Sequence, residues 1–506
     1  MSLTPYEDAP APSLPPAKPE ARPETRPEAR PEPRIGSRAI RAYDIRGVVG
    51  ADIDAAGARA LGRSYAAYAR ARRLRRFVVG RDGRLSSPAL ERALVDGLAA
   101  GGAEVVRIGL GPTPRVAFAV RELGFDGGLM VTASHNPPAE NGFKLLLGAE
   151  RLHGPALSEL VATPGEPRGG GCVREISMEA AYVVRLAATA EGARPLRIAW
   201  DPGHGATADT VRRLTRRIPG GHILINAEVD GRFPAHHPDP SVAKNLQALR
   251  QTVLDTKADL GLAFDGDGDR LGVVDSEGEI LWPDQYLLYL AREVLARRPG
   301  AAIVGDVKCS RTLFEGIRQL GGRPVVAPSG YARVREVMRA NGAPLAGELS
   351  GHIFYDDCWD RADDALYAAM RLIMAMSLGG GSLAEFRRSL PRTWATPELR
   401  IPCADWARPG IVAAIAREAQ SEGLDADMVD GVRVATESGW WLLRAAGSEP
   451  MLTVRCEALD PDGLETLKRD LAERLGRCGV KVEGLQDARV GPRWKVGRGT
   501  APQRSS

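Results

Sequence analysis

Short apolar runs recur along the chain, and most end on a glycine, a carboxylate or a turn former. Gly128-Leu129-Met130-Val131, Leu260-Gly261-Leu262-Ala263-Phe264 and Leu271-Gly272-Val273-Val274 predict buried strands. Residues 77–80, 105–108, 197–200, 302–305 and 324–327 read the same way, each near a helical segment; 88–101 has helical periodicity. Strand-helix alternation predicts α/β layers. Gly-rich loops follow strand ends at Asp201-Pro202-Gly203-His204-Gly205 and at Asp306, the place where α/β folds hold ligands.

At 506 residues the chain is too long for one core, so several domains are expected. Residues 1–35 repeat Lys-Pro-Glu and Arg-Pro-Glu in tetrads. Proline at every fourth position excludes a helix, and the segment reads as a disordered tail with polyproline II bias. Residues 485–506 are similarly polar and read as a flexible tail.

Composition removes several function classes. A net charge of +4 with no long basic run argues against a nucleic-acid partner. The densest basic stretch, Arg72-Arg73-Leu74-Arg75-Arg76, reads as a solvated helix end. No apolar stretch is long enough for a bilayer, and the N-terminus lacks a secretory pattern, so a cytoplasmic protein with no membrane partner is expected. The six cysteines are scattered and read as reduced, mostly buried thiols. The adjacent pair His236-His237 points in opposite directions in an extended chain and chelates poorly.

Two loops carry candidate chemistry. Thr132-Ala133-Ser134-His135-Asn136-Pro137 follows a buried strand and presents one hydroxyl on a rigid bend, either as solvated loop chemistry or as a nucleophile. Asp265-Gly266-Asp267-Gly268-Asp269-Arg270 joins two apolar strands, and its glycines let three carboxylates converge. Three like charges need a cation, and oxygen-only ligands favour Mg2+ or Ca2+. Ser276 stands where an EF-hand needs its bidentate glutamate, and the flanks are strands, so that reading fails. A hard cation, a serine and nearby Lys and Arg point to phosphoryl transfer.

Arg41-Ala42-Tyr43-Asp44-Ile45-Arg46-Gly47, Thr132 to Pro137, Asn141-Gly142-Phe143-Lys144, Asp265 to Arg270, Asp306-Val307-Lys308, Gly347-Glu348-Leu349-Ser350-Gly351-His352 and Asp430-Gly431-Val432-Arg433 occur in that order. Together they resemble the α-D-phosphohexomutase family, most closely its phosphomannomutase/phosphoglucomutase branch, from about Arg38 to about Gly484. The resemblance implies an α/β, four-domain architecture: three related α/β domains and a smaller TATA-binding-protein-like C-terminal domain. The borders fall near 178, 280 and 392, giving 36–178 with the serine loop, 179–279 with the metal loop, 280–392 with a sugar loop and 393–484 with a phosphate loop.

The implied activity interconverts hexose 1-phosphate and hexose 6-phosphate of mannose, glucose or both. It runs through a phosphoserine and a hexose 1,6-bisphosphate. Ser134 is the implied phosphoryl carrier and shares Mg2+ with Asp265, Asp267 and Asp269. Arg46 and Lys144 flank the phosphoryl group as the implied groups for proton transfer and charge stabilisation; Lys144 is read as following a Gly-Phe turn. The side chain of His135 is expected to diverge from Ser134 and to steady the loop or the phosphate. Tyr43, Arg270, Lys308, Tyr331, Glu348, Ser350 and His352 are implied sugar contacts. Glu348, Ser350 and His352 alternate, so an extended loop would turn them one way. Arg444, Gly447 and Ser448 are implied to hold the non-reacting phosphate. Sugar phosphates are the implied partners, with the chain a monomer or weak homodimer.

Two positions depart from the family pattern. Pro328-Ser329-Gly330-Tyr331 replaces Lys-Thr-Gly-His, leaving Arg333 or Arg335 as substitute donors, and Ala446 stands where a serine is usual. They leave room for a weakened sugar-phosphate-binding protein. A phosphoglucosamine mutase is the other alternative, against which Phe143 and the Asp-Gly-Val-Arg segment speak.

Overall fold

The computed structural model describes residues 35–480 and 482, except 149, 359, 360, 380 and 447–449. The expected tails, 1–34 and 485–506, lie outside the described residues; Ile35 bridges Ile53. Four sheets follow one another along the chain. The first orders its strands Ile45–Val48, Glu140–Leu147, Gly127–Val131, Arg76–Arg81, Glu104–Leu110 and Cys172–Glu175, with Glu150–Arg151 paired to Glu140–Leu147. The second orders Ile280–Leu281, Leu271–Asp275, Leu260–Phe264, Leu196–Asp201 and Gly220–Leu224. The third has Arg323–Ala327, Ala302–Asp306, Leu345–Gly347 and Ile353–Tyr355. The fourth is antiparallel, built on Met451–Ala458, Gly439–Ala445 and Val432–Ala435, with helices Arg408–Ser421 and Pro461–Arg477 against it. The expected three α/β units and smaller last unit are thus present as a four-domain architecture.

The apolar runs are what fuse the first three units. One buried cluster runs from Val116 and Met130 through Trp200 and Phe264 to Leu287, Ile303, Leu366 and Ile373. The fourth sheet has its own core around Trp441, Val454, Leu467 and Leu471. It meets the third through a small patch of Val307, Trp440 and Leu442 and through polar bonds. Arg433 Nη1 donates to Val307 O at 2.9 Å, and Ser310 Oγ and Arg311 N donate to Glu457 Oε1 at 2.7 and 3.2 Å.

Three local expectations are corrected. Asn141-Gly142-Phe143 is no turn: it lies inside strand Glu140–Leu147, paired on both sides, and a Cβ at Gly142 would come within 2.0 Å of Ile45 O. Lys144 therefore rises from a buried strand. The helix before the Arg-rich stretch ends at Arg70, and Arg76 opens the next strand, so that stretch is a connection rather than a helix end. Among the cysteines Cys309, Cys358 and Cys456 are buried, Cys403 and Cys478 half-buried and Cys172 exposed; all are free thiols.

Helix Ala365–Ser377 starts on the carboxylate of Asp364, which accepts from Tyr367 N at 2.9 Å and from Tyr182 OH at 2.7 Å. Burial pushes this carboxyl up to about 7. The unfolded chain gives up the same proton near the ordinary carboxylate range, about pH 4. Between those values the folded state holds more protons, so stability falls as pH rises through the window and stays lower above it. Asp364→Asn keeps an oxygen for the cap and cannot ionise. Its melting temperature, relative to the unsubstituted protein, should rise from pH 5 to pH 8; an offset independent of pH contradicts this account.

Candidate active site

Ser134 sits just past the carboxyl end of strand Gly127–Val131 with φ at 52°, in the left-handed region. A built scaffold holds this kink. Ser134 N donates to Thr132 Oγ1 at 2.8 Å, and Thr132 Oγ1 donates to Asp82 Oδ2 at 2.7 Å. The buried Arg84 guanidinium donates to four main-chain oxygens, those of Ser134, Asn136, Pro137 and Glu140, at 2.6–2.9 Å. Arg46 pairs with Asp44 at 2.7 Å and also donates to Ala133 O and Asn136 Oδ1 at 3.2 and 2.9 Å. The kink reverses one expectation: His135 does not diverge, and its Nδ1 lies 3.1 Å from Ser134 Oγ. The rule that neighbouring side chains point apart belongs to extended backbone, which Ser134 leaves. Burial, with Arg270, Arg46 and Lys144 nearby, holds the His135 imidazole well below its ordinary range, so it is neutral.

The acidic loop is the connection of the antiparallel hairpin Leu260–Phe264 and Leu271–Asp275. Asp265 Oδ1 accepts main-chain N–H bonds from Gly268, Asp269 and Arg270 at 3.0–3.1 Å, which folds the loop around it. Its other oxygen accepts from Ser134 Oγ at 2.6 Å, so residues 131 positions apart in sequence are in direct contact. That approach requires glycine: a Cβ at Gly266 would lie 2.4 Å from Ser134 O. Gly266→Ala should push the two loops apart and lower turnover about 100-fold, since displacements near 1 Å cost that much. A variant with full kcat would show that the contact is dispensable.

All three aspartates are buried, and their ligand atoms lie within 4.8 Å of one another. Burial and the charges of Asp267 and Asp269 hold the Asp265 carboxyl well above the carboxylate range. Lys144 Nζ donates to Asp267 Oδ2 at 2.7 Å and to Asp269 Oδ2. Although burial opposes charge on Lys144, Asp267 and Asp269 prevail and keep it an ammonium. Asp267 Oδ1 and Asp269 Oδ1 are buried without a hydrogen-bond partner. Two orphaned carboxylate oxygens in an all-oxygen set fit a hard metal cation.

On the far side of the cleft, Gly330 N donates to Glu348 Oε1 at 2.6 Å and Ser350 Oγ to Glu348 Oε2 at 3.1 Å. Tyr43 OH donates to Ser329 O at 3.0 Å. Lys308 Nζ is 3.5 Å from Asp306; burial works against its charge, but Glu398, Asp306 and Glu348 hold it above the ordinary amine range. His352 does not join this group. Residues 348–352 form a tight turn, with Glu348 N donating to His352 O at 2.9 Å, so alternation fails there. The ring of His352 turns instead to Asp363, 2.9 Å away, and accepts from Arg270 Nε at 3.2 Å. Tyr331 is buried, and its hydroxyl donates to Tyr43 O at 2.7 Å, so it is not presented as a sugar donor. Of the substitutes, Arg335 is buried, whereas Arg333 is half-exposed and 3.9 Å from Asp430. Arg444 is clamped on Asp430 at 2.7 Å; Gly447 and Ser448 lie outside the described residues.

Sequence reasoning passed over Asp82, Arg84, Arg151 and Asp363, and named Asp430 only as part of a motif, without a role. Asp82 and Arg84 follow the carboxyl end of strand Arg76–Arg81, the position where α/β sites gather. Asp363 was hidden because the pair Asp363-Asp364 reads as a helix cap, which only Asp364 is.

Four domain families match in order: phosphoglucomutase/phosphomannomutase alpha/beta/alpha domain I over residues 37–160, domain II over 180–278, domain III over 282–394 and the C-terminal domain over 398–474. A Pseudomonas aeruginosa phosphomannomutase/phosphoglucomutase is 38% identical over 446 residues, 88% of this chain and 96% of that protein. A Neisseria gonorrhoeae phosphoglucomutase is 38% identical over 437 residues, 85% of this chain and 94% of that protein. The crystal structure of a phosphoglucomutase/phosphomannomutase family protein from Burkholderia thailandensis superposes with a TM-score of 0.82 at 36% identity, covering 88% of this chain and 98% of that one. With the serine loop, the aspartate hairpin and all four domains matched in order, the chain belongs to the phosphoglucomutase/phosphomannomutase family.

Proposed function

We propose that this chain interconverts hexose 1-phosphate and hexose 6-phosphate, of mannose, glucose or both, through a phosphoserine at Ser134 and a 1,6-bisphosphate intermediate. The observation that carries the reading is the 2.6 Å contact between Ser134 Oγ and Asp265 inside a buried carboxylate triad. Asp265, Asp267 and Asp269, with an oxygen of the serine phosphoryl group, would hold Mg2+, which when bound draws charge from that group.

In the forward half-reaction a sugar hydroxyl oxygen bonds to phosphorus as the bond to Ser134 Oγ breaks, the hydroxyl giving up its proton and Ser134 Oγ taking one up. Arg46 and Lys144, both held as cations, stabilise the charge on the transferring oxygens. In the return half-reaction Ser134 Oγ loses its proton, and His135 Nδ1, neutral at 3.1 Å, is an acceptor outside the triad. Glu348 retains acceptor capacity on both oxygens and with Ser350, Tyr43 and Lys308 reads the sugar hydroxyls. Arg444, with Gly447 and Ser448, takes the non-reacting phosphate. The borders near 178, 280 and 392 then divide the chain so that each domain lends one loop to the cleft. A cytoplasmic monomer or weak homodimer fits this role.

The test is a Mg2+-dependent mutase assay on mannose 1-phosphate, glucose 1-phosphate and glucosamine 1-phosphate, with and without a trace of the matching 1,6-bisphosphate. Turnover of the first two, stimulated by bisphosphate, is expected. Preference for glucosamine phosphate overturns the substrate assignment, and no turnover of any overturns the reading.

A further inference from the structure

Arg151 has no part in the scheme above, yet it is buried beside the triad. Its guanidinium lies 4.5 Å from the centre of the Tyr331 ring. Nη2 pairs with Asp363 Oδ1. Nη1 has no hydrogen-bond partner and is 3.9 Å from Asp269 Oδ2. Asp363 Oδ2 is 2.9 Å from His352 Nδ1, which also lies 3.7 Å from Asp269 Oδ1. The second ring nitrogen, Nε2, accepts from Arg270 Nε at 3.2 Å. An imidazole that accepts at Nε2 carries its proton on Nδ1, facing Asp363. The set therefore runs without a break from Tyr331 through Arg151, Asp363 and His352 to Arg270, the residue that follows the last aspartate of the triad. A buried carboxylate needs a cation beside it, and Arg151 supplies one at the other oxygen of Asp363. Its planar fork suits both a carboxylate and the aromatic face that Tyr331 offers.

We propose that Arg151 and Asp363 are positioning residues for His352, holding its ring in the Nδ1–H form so that Nε2 receives Arg270 beside the acidic triad. The consequence for turnover rests on the mutase reading; the ring geometry does not.

The experiment uses the full chain labelled with 15N-histidine, and His352→Gln assigns the His352 signal. The Nδ1–H tautomer is expected in the unsubstituted protein and should be lost in the double variant R151M/D363N. That variant leaves no unpaired charge, so it should melt close to the unsubstituted protein. Its kcat should fall by roughly 30-fold with KM for the hexose phosphate within about threefold, as for residues that orient the surroundings of a metal site. R151K should remain impaired, because an ammonium lacks the fork. Guanidinium ion should restore R151M about tenfold by entering the space the side chain vacates, beside a small cavity of about 30 Å³ lined also by Lys144 and Arg335. An unchanged His352 tautomer in the double variant, full kcat in R151K, or R151M indifferent to guanidinium would each overturn the proposal. An unsubstituted protein without turnover would defeat the mutase reading alone, because the nitrogen signals report the ring without substrate.

Discussion

Ser134→Ala should abolish interconversion, by a factor on the order of 10⁴ or more, the scale seen when a covalent nucleophile is removed. The side chain is small and its neighbours hold themselves. Thr132, Arg84 and Arg46 bind the loop through main-chain atoms and Asn136, not through the serine hydroxyl. The variant should therefore fold and melt as the unsubstituted protein does and still bind sugar phosphate. Intact-mass spectrometry should find a phosphoryl adduct on the unsubstituted chain after incubation with bisphosphate, and none on the variant. Retained turnover in Ser134→Ala would remove the phosphoserine from the scheme.

Asp265→Asn is the second large effect, and it has two signs. The asparagine oxygen can keep the three N–H bonds from Gly268, Asp269 and Arg270, so the loop survives. What disappears is an ionisable group whose charged form burial and two neighbouring carboxylates penalise, so folding no longer has to protonate it. In buffer without divalent metal the variant should melt higher than the unsubstituted protein, since one of three mutually repelling groups is gone. Its metal affinity should fall by roughly 100-fold, and turnover at saturating Mg2+ by a similar or larger factor. Calorimetry with and without Mg2+ separates the two effects. A variant that binds metal as tightly as the unsubstituted protein would exclude Asp265 from the ligand set.

Much of this site was legible because its pieces obey local rules. Continuous apolar runs ending in turn formers marked the strands Gly127–Val131 and Leu260–Phe264, and alternating Asp and Gly marked a loop able to converge. The meeting of Ser134 with Asp265 was legible only through the order of motifs, because no periodicity encodes contacts between separate sheets. Two readings at the site failed by assuming extended backbone, whereas Asn141-Gly142-Phe143 failed the other way, read as a turn and found as strand. Ser134 leaves the extended form at a positive φ and brings His135 close, and the turn at 348–352 sends His352 away from Glu348. Arg151 escaped because its significance lies in three tertiary partners, Tyr331, Asp363 and Asp269, that sequence does not place together.

The unequal cores have a mechanical consequence. One large apolar cluster reaches into all three of the first sheets, which also keep cores of their own, whereas the fourth shares no such cluster and touches the third through three buried side chains and a few polar bonds. Sliding the shared interior would expose large apolar surface, while the thin seam around Val307 and Trp440 exposes little. The first three units thus behave as a fixed anvil and the C-terminal unit as the jaw. In the scheme proposed above, a bisphosphate that turns over between the two half-reactions would gain its room by a tilt of that one jaw.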